Sequence, residues 1–391
     1  MSQLLNERWS ETKEALLEGL SGTRKASMAV CLENTRKYLG ESATAGATSA
    51  GNIATLNRVI LPVIRRVMPT VIANEIIGVQ PMTGPVGQIH TLRVRYADSD
   101  GTVTAGEEAL SPFKIAAAYS GNGNDGAPKA DTTAKLEGQP GKRMSIQILK
   151  SPVEAKSRKL SARWTFEAAQ DAQAQQGIDI EAEIMAALAQ EITAEIDQEI
   201  LASLRNLASV EQTYDQSLVS GTATFVGDEH AALAIQINRV SNLIAQRTRR
   251  GSGNWAVVSN QALTILQSAT TSAFARTTEG TFEAPTNTKF VGTLNGAMKI
   301  YVDAYLRDDV DANQVLIGYK GTSEADAAAF YCPYIPLMSS GVVLDPATFE
   351  PVVGFLTRYG YVELNNTASS LGNAADYLGK VAITSANVSF Q

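Results

Sequence analysis

One stretch limits the architecture of this 391-residue chain more than any other. From Asp179 to Leu207, the residues Ile180, Ile184, Leu188, Ile192, Ile196, Ile200 and Leu204 recur four apart. That spacing predicts a helix about 40 Å long at ~1.5 Å per residue. Four residues turn a helix by about 400°, so the apolar line drifts by about 40° at each step. Such a helix meets a series of neighbours along its length, like a beam under several packed elements. Asp179, Glu181, Glu183, Glu191, Glu195, Asp197 and Glu199 line it, and only Arg205 answers them within the helix. Its exposed side is therefore expected to repel phosphate and to attract basic partners. Paired carboxylates such as Glu191 and Glu195 raise the question of a metal; with no histidine nearby, a solvated helix face is the expected state.

Downstream the pattern alternates between strands and helices. Asp228 is expected to cap a helix running to about Arg249, buried along Leu233, Ile237, Val240 and Ile244. Arg247, Arg249 and Arg250 precede Gly251, where they suit a helix C-terminus better than phosphate. Trp255–Ser259 reads as a buried strand passing into a short helix near Asn260, and Lys299–Tyr305 and Val315–Lys320 as further strands. Thr270–Phe290 is polar and irregular. The alternation implies an α/β lobe over residues 208–345.

Upstream, Leu56–Glu75 is a short apolar-periodic run punctuated by Pro62 and Pro69. Ile77–Gly87 follows, where Pro81, Gly84, Pro85 and Gly87 predict a rigid corner. His90–Tyr96 alternates as a half-buried strand, Ala97–Gly141 loses apolar periodicity, and alternation resumes at Met144–Ile148 and Lys159–Phe166. Residues 89–166 thus read as one long two-stranded hairpin with a floppy tip. A lone hairpin of that length is not stable in water and needs a neighbour to lie on. Lys150, Lys156, Arg158, Lys159 and Arg163 make its second arm basic, fit for an acidic neighbouring surface rather than nucleic acid.

Residues 1–40 are amphipathic and helical, either an ordinary surface hairpin or a segment that docks on other proteins. Ser42–Asn52 is a linker of small residues accessible to a protease. The charged residues within Met1–Leu20 exclude a signal peptide, and no apolar run reaches the ~20 residues of a bilayer span, so a soluble protein is expected. At 44% hydrophobic residues the chain can fill more than one core, and a net charge of −7 argues against general affinity for nucleic acid. Cys31 and Cys332 suggest reduced thiols.

Motifs for chemistry are missing. His90 and His230 have no ligand partners at metal spacing. Gly121–Gly126 spells GxGxxG without the flanking strand and helix, and Asp309-x-Asp311-x-Asn313 fails the later positions of a calcium loop. No catalytic, cofactor-binding or metal residues are expected, and no cofactor.

The segments VILPVIRRVMPTVIANEIIGVQPMTGPVGQI, GYKG, DAAAFYCPYIPL and GFLTRYG resemble, in this order, signatures of the major capsid proteins of T-even-type (T4-like) tailed bacteriophages. The resemblance implies an α+β, HK97-like capsid fold with an N-terminal arm, an extended β-hairpin (E-loop), a long spine helix in a peripheral domain and an α/β axial domain. On it, the chain divides into an arm and linker (1–55), an arm helix and turn (56–88), the E-loop (89–166), the peripheral domain (167–207), the axial domain (208–345) and a C-terminal return to the peripheral domain (346–391). It implies a structural shell subunit of an icosahedral or prolate head, assembling as hexamers and pentamers around double-stranded DNA without sequence-specific binding. Scaffold, portal, maturation protease and decoration proteins are the implied partners, and no membrane. Lys156, Arg158, Lys159 and Arg163 would meet Glu191, Glu195 and Glu199 across subunits. Leu39-Gly40-Glu41 is similar to the family's maturation sites, with cleavage between Glu41 and Ser42. An encapsulin-type shell protein and a soluble α/β enzyme or binding module are the alternatives.

Overall fold

The computed structural model describes residues 72–99, 130–138, 141–176, 179–215, 226–248, 250–268, 274–276, 289–303, 314–323, 326–345, 350–364 and 374–385, the helical stretch 25–34, and scattered residues within 9–22, 103–121 and 305–348. In chain order its elements are α1 (25–34), α2 (Ala73–Ile76), β1 (Gly78–Val79), β2 (Val86–Tyr96), α3 (Thr133–Leu136), β3 (Met144–Glu154), β4 (Lys156–Arg163), α4 (Phe166–Gln176), α5 (Ile180–Leu207), β5 (Val210–Asp215) and α6 (Val226–Thr248). Then come β6 (Trp255–Val258), α7 (Asn260–Ser268), β7 (Phe274–Arg276), β8 (Lys289–Leu294), β9 (Met298–Val302), β10 (Gln314–Gly318), β11 (Ala329–Leu344), β12 (Pro351–Glu363) and β13 (Leu378–Ser385). The expected α+β class and the order of hairpin, long helix and α/β lobe are present. Leu56–Thr70, Gly126, Asp309–Asn313 and Arg249 lie outside the described residues.

Two units divide the chain: Met1–Gly87, Val153–Ala202 and Phe330–Val362 form the first, and Gln88–Pro152, Ser203–Ala329 and Glu363–Gln391 the second. The first holds a four-stranded sheet ordered β1-β11-β12-β4. Along β12 the residues Pro351, Val353, Phe355, Thr357 and Tyr359 alternate inward, the two-residue period of a sheet with one packed face. The buried line of α5 runs through Met185, Leu188, Ala189, Ile192, Thr193, Ile196, Asp197, Ile200 and Leu201. Each four-residue step is thus accompanied by the next residue, which widens the stripe and absorbs its drift. The corner at Ile77–Gly87 is more than a turn. Gly78 and Val79 pair in parallel with Phe330 and Tyr331, and the N–H groups of Gln80 and Met82 continue the ladder to the carbonyls of Tyr331 and Pro333. A two-residue strand is too short to show a period, so the sequence does not reveal it.

The second unit holds a seven-stranded mixed sheet ordered β5-β13-β10-β6-β9-β8-β7. Leu233, Ile237, Val240 and Ile244 of α6 join Ala256, Val258, Ile300, Val315, Ile317, Val381 and Ile383 in its core, as the helix pattern predicted. The helix begins at Val226 rather than at an Asp228 cap. β8 and β9 form a hairpin closed by Asn295 and Gly296, both at positive φ (54° and 69°), the backbone of a tight primed turn that asparagine and glycine adopt at least cost. The stretch read as irregular contains β7, antiparallel to β8.

Three sequence boundaries are corrected. The second arm of the hairpin ends at Glu154: β3 pairs with β2, whereas β4 pairs with β12 from Val352↔Arg163 to Tyr359↔Lys156. The Ala155 N–H donates to the Pro85 carbonyl at 2.9 Å and closes the hairpin base there. Alternation is common to every half-buried strand and does not name the partner, hence the misjoined arm. For the same reason β11, placed with the axial lobe, belongs to the first unit's sheet, and β13, placed with the peripheral domain, lies between β5 and β10 in the second's. At the hairpin tip, composition did not suggest the packing found among the described residues. Tyr96, Val103, Ala109 and Tyr119 make a small core of their own, with the two tyrosine rings 4.6 Å apart.

Candidate functional site

The basic strand and the acidic helix meet at one node, inside the first unit. Arg158 on β4 stands opposite Thr357 of β12, and Tyr359 is two residues along, so both side chains leave the same sheet face. Arg158 Nη1 donates to Glu195 at 2.6 Å, Nη2 to Glu199 at 2.5 Å, and Nε to the Tyr359 hydroxyl at 2.6 Å. That hydroxyl donates in turn to Glu199. Glu195 and Glu199 are one helical turn apart, a spacing that the guanidinium fork spans. Burial would raise the Glu199 pKa, but the Tyr359 and Arg158 hydrogen bonds outweigh it and hold the carboxyl below its usual range. Burial, and after it the Glu199 carboxylate, push the Tyr359 phenol well up.

The other charged residues singled out by sequence are not gathered there. Lys156 and Lys159 are exposed on β4, Glu191 is exposed on α5, and Arg163 reaches Glu350 at 3.8 Å. Asp197, read as part of the acidic face, is buried and accepts the Ile72 N–H at 2.9 Å. Arg205 answers none of its helix neighbours; it pairs at 2.5 Å with Asp303, whose side chain is fully buried. Arg247 binds Glu211 at 2.6 Å and Arg250 binds Asp326 at 2.7 Å, carboxylate partners that the sequence had not suggested. Glu41 and Ser42 lie outside the described residues.

At the hairpin tip, the Tyr119 hydroxyl donates to the Arg143 carbonyl at 2.5 Å and accepts the Asp98 N–H at 3.2 Å. Asp98 accepts from both the backbone and the guanidinium of Arg143, which lowers its pKa. Beyond the tip, β3 turns Met144, Ile146 and Ile148 to solvent, 54, 68 and 60% exposed. In the first unit, a groove of about 330 Å³ is lined by Trp164, Phe166, Ile180, Val342, Leu344 and Pro351.

Cys31 and Cys332 are buried and form no disulfide, and burial pushes both thiols up to about 12. His230 is buried beside the Ser268 hydroxyl, and His90 is exposed in mid-strand. Among the described residues no group of three or more His, Cys, Asp or Glu could hold a metal, and no helix is long and apolar enough to cross a membrane. Sequence reasoning missed Tyr359 and Asn34, and it placed Asp197 on the exposed face although that side chain is buried. For Tyr359 the signal was present, since it shares inward parity with Phe355 and Thr357.

The node stiffens the first unit, and the exposed strand and the groove offer surface. A family model described as "Major capsid protein Gp23" matches residues 53–139 and 122–383. The chain belongs to that family of major capsid proteins. It is 29% identical to the major capsid protein of Vibrio phage KVP40, over 85% of this chain and 81% of that one. It is likewise 29% identical to the major capsid protein of Enterobacteria phage T4, over 86% and 80%. Among solved structures, the asymmetric unit of the mature capsid of bacteriophage PhiM1 covers 78% of this chain and 83% of its own, at 14% identity and a TM-score of 0.46. As a major capsid protein, the chain has a structural role, its place is the virion capsid, and it associates with its own kind to form the shell.

Proposed function

We propose that this capsid subunit closes both hexameric and pentameric rings of an icosahedral or prolate head around double-stranded DNA, and that it catalyses no reaction. The row Met144, Ile146 and Ile148 carries this reading: three apolar side chains on one exposed strand are a surface made to be covered. The hairpin is the E-loop that lies on a neighbouring copy, the first unit acts as the peripheral domain and the second as the axial domain. Lys156, Lys159, Arg163 and Glu191 remain on the surface to steer subunits together, while Arg158, Glu195 and Glu199 are engaged within one chain. Scaffold, portal, decoration proteins and a maturation protease are its expected partners, with cleavage between Glu41 and Ser42. Negative-stain microscopy of the purified chain across salt and concentration is expected to show hexamers, pentamers or closed particles. Small monodisperse species under every condition would overturn the proposal. Intact mass of mature particles tests the cleavage: a terminus at Ser42 supports it, and one at Met1 or Ser2 rejects it.

A further inference from the structure

The N-terminal helix α1 is built into the first unit's core. Met28, Cys31 and Leu32 are 1, 0 and 0% exposed, and Ser27 and Asn34 are buried beside them. On its other side, Glu33 accepts a hydrogen bond from the Trp9 indole at 3.2 Å and an ion pair from Lys13 at 3.7 Å, which ties the preceding turns to the helix. The decisive contact is Asn34. Its amide nitrogen donates to the Met82 carbonyl at 2.7 Å and to the Tyr334 carbonyl at 3.1 Å. The last backbone rung between these segments is Met82 N–H to the Pro333 carbonyl at 3.0 Å. Asn34 therefore donates immediately past that rung, to the carbonyl of Met82 itself and to that of Tyr334, one residue beyond Pro333. An amide is the side chain suited to this: it offers two donors in one plane, whereas an aspartate offers none and a leucine none.

We propose that α1 is a clamp seated in a helix-binding groove of the first unit, and that its hold is non-covalent and specific. The groove's ligand is this chain's own segment 25–34: the apolar side chains supply the grip and Asn34 the register. Two consequences follow. A cut in the Ser42–Asn52 linker leaves the fragment in place. Removing the fragment, rather than cutting the bond, is what frees the Gln80–Met82 corner. The clamp does not depend on natural cleavage at Glu41, so its failure would leave the shell role standing.

The test uses the full-length chain with a site for a sequence-specific protease inserted between Gly46 and Ala47. After cleavage, the N-terminal fragment is expected to co-elute with the remainder on gel filtration in native buffer and to separate only in denaturant. Separation in native buffer would overturn the proposal. A labelled synthetic peptide of residues 1–46 is then exchanged into the nicked protein, so that the body stays wild type and correctly folded. The wild-type peptide is expected to bind, and peptides carrying Asn34→Asp or Asn34→Leu to bind at least about tenfold more weakly. Were Asn34 merely filling space, the Asn34→Leu peptide would bind as tightly as wild type, and that result also overturns the proposal. On displacement, hydrogen exchange should quicken at Gln80 and Met82; unchanged exchange there would show that the helix does not hold the corner.

Discussion

At the scale of residues, the charges matter for where they are satisfied. Arg158 spans Glu195 and Glu199 while its Nε reaches Tyr359, but the group is half-exposed, so screening limits its worth. Arg158→Ala is expected to lower stability by about 1 kcal/mol in urea unfolding of the free subunit, with Arg158→Lys recovering only part because a point charge cannot reach both carboxylates. The pH dependence follows from direction. Glu199 and Glu211, the latter held mainly by its bond to Arg247, have folded pKa values below the ordinary 4.5. Their contribution is fully present above that value and is lost as pH falls through the lower folded values. Acid titration of unfolding should therefore steepen below about pH 4.5, and Arg158→Ala or Arg247→Ala should flatten it. A larger loss is expected at Asp303, whose side chain is fully buried against Arg205. Asp303→Ala strands a guanidinium in the interior and should cost about 3–5 kcal/mol by the same measurement. The sequence displayed all these charges and set Arg158 against Glu195 and Glu199 only across subunits; that they meet within one chain, and that Arg205 meets Asp303 and Arg247 meets Glu211, is a product of sheet register and helix placement, which no local pattern carries.

At the scale of elements, legibility tracked periodicity. The long helix was plain because seven apolar residues mark its turns, and α6 because four do. β1 was invisible because two residues make no pattern, and β4 was assigned to the wrong partner because alternation says which face is buried and not against what. Some strands carry a finer constraint. Gly318 on β10 pairs with Trp255 on β6, and a Cβ at Gly318 would come within 2.1 Å of the indole ring. Trp255 is buried, so the ring has nowhere to go. Gly318→Ala is expected to destabilise the second unit by about 1–3 kcal/mol, read as a lower thermal midpoint, through overpacking. At the hairpin tip a single hydroxyl joins two segments. Tyr119→Phe removes a hydroxyl that bridges the Asp98 N–H and the Arg143 carbonyl. Hydrogen exchange at Asp98 should speed up by roughly fivefold, the effect of about 1 kcal/mol, while exchange in the second unit's sheet stays unchanged.

For the whole molecule, a capsid subunit must be stable alone and yet hold surface in reserve for its neighbours. The core residues of both units satisfy the first demand, and Met144, Ile146 and Ile148 show the second, since folding leaves them uncovered. A strand with such a face would normally invite indiscriminate pairing. Among the described residues β3 pairs along one edge only, with β2, so a neighbouring copy can meet it either through the apolar row or along its other backbone edge. The demands can be separated by substitution. Met144→Ser, Ile146→Ser and Ile148→Ser together should leave the unfolding midpoint of the free subunit within about 0.5 kcal/mol per site, as exposed positions do. The same triple variant removes roughly 1 kcal/mol of apolar burial per residue from each contact in the shell. Sedimentation should then show particles forming only at about a hundredfold higher subunit concentration, or not at all. Normal assembly by the triple variant would remove the hairpin face from the interface, and loss of folding would mean that the face is covered within the subunit.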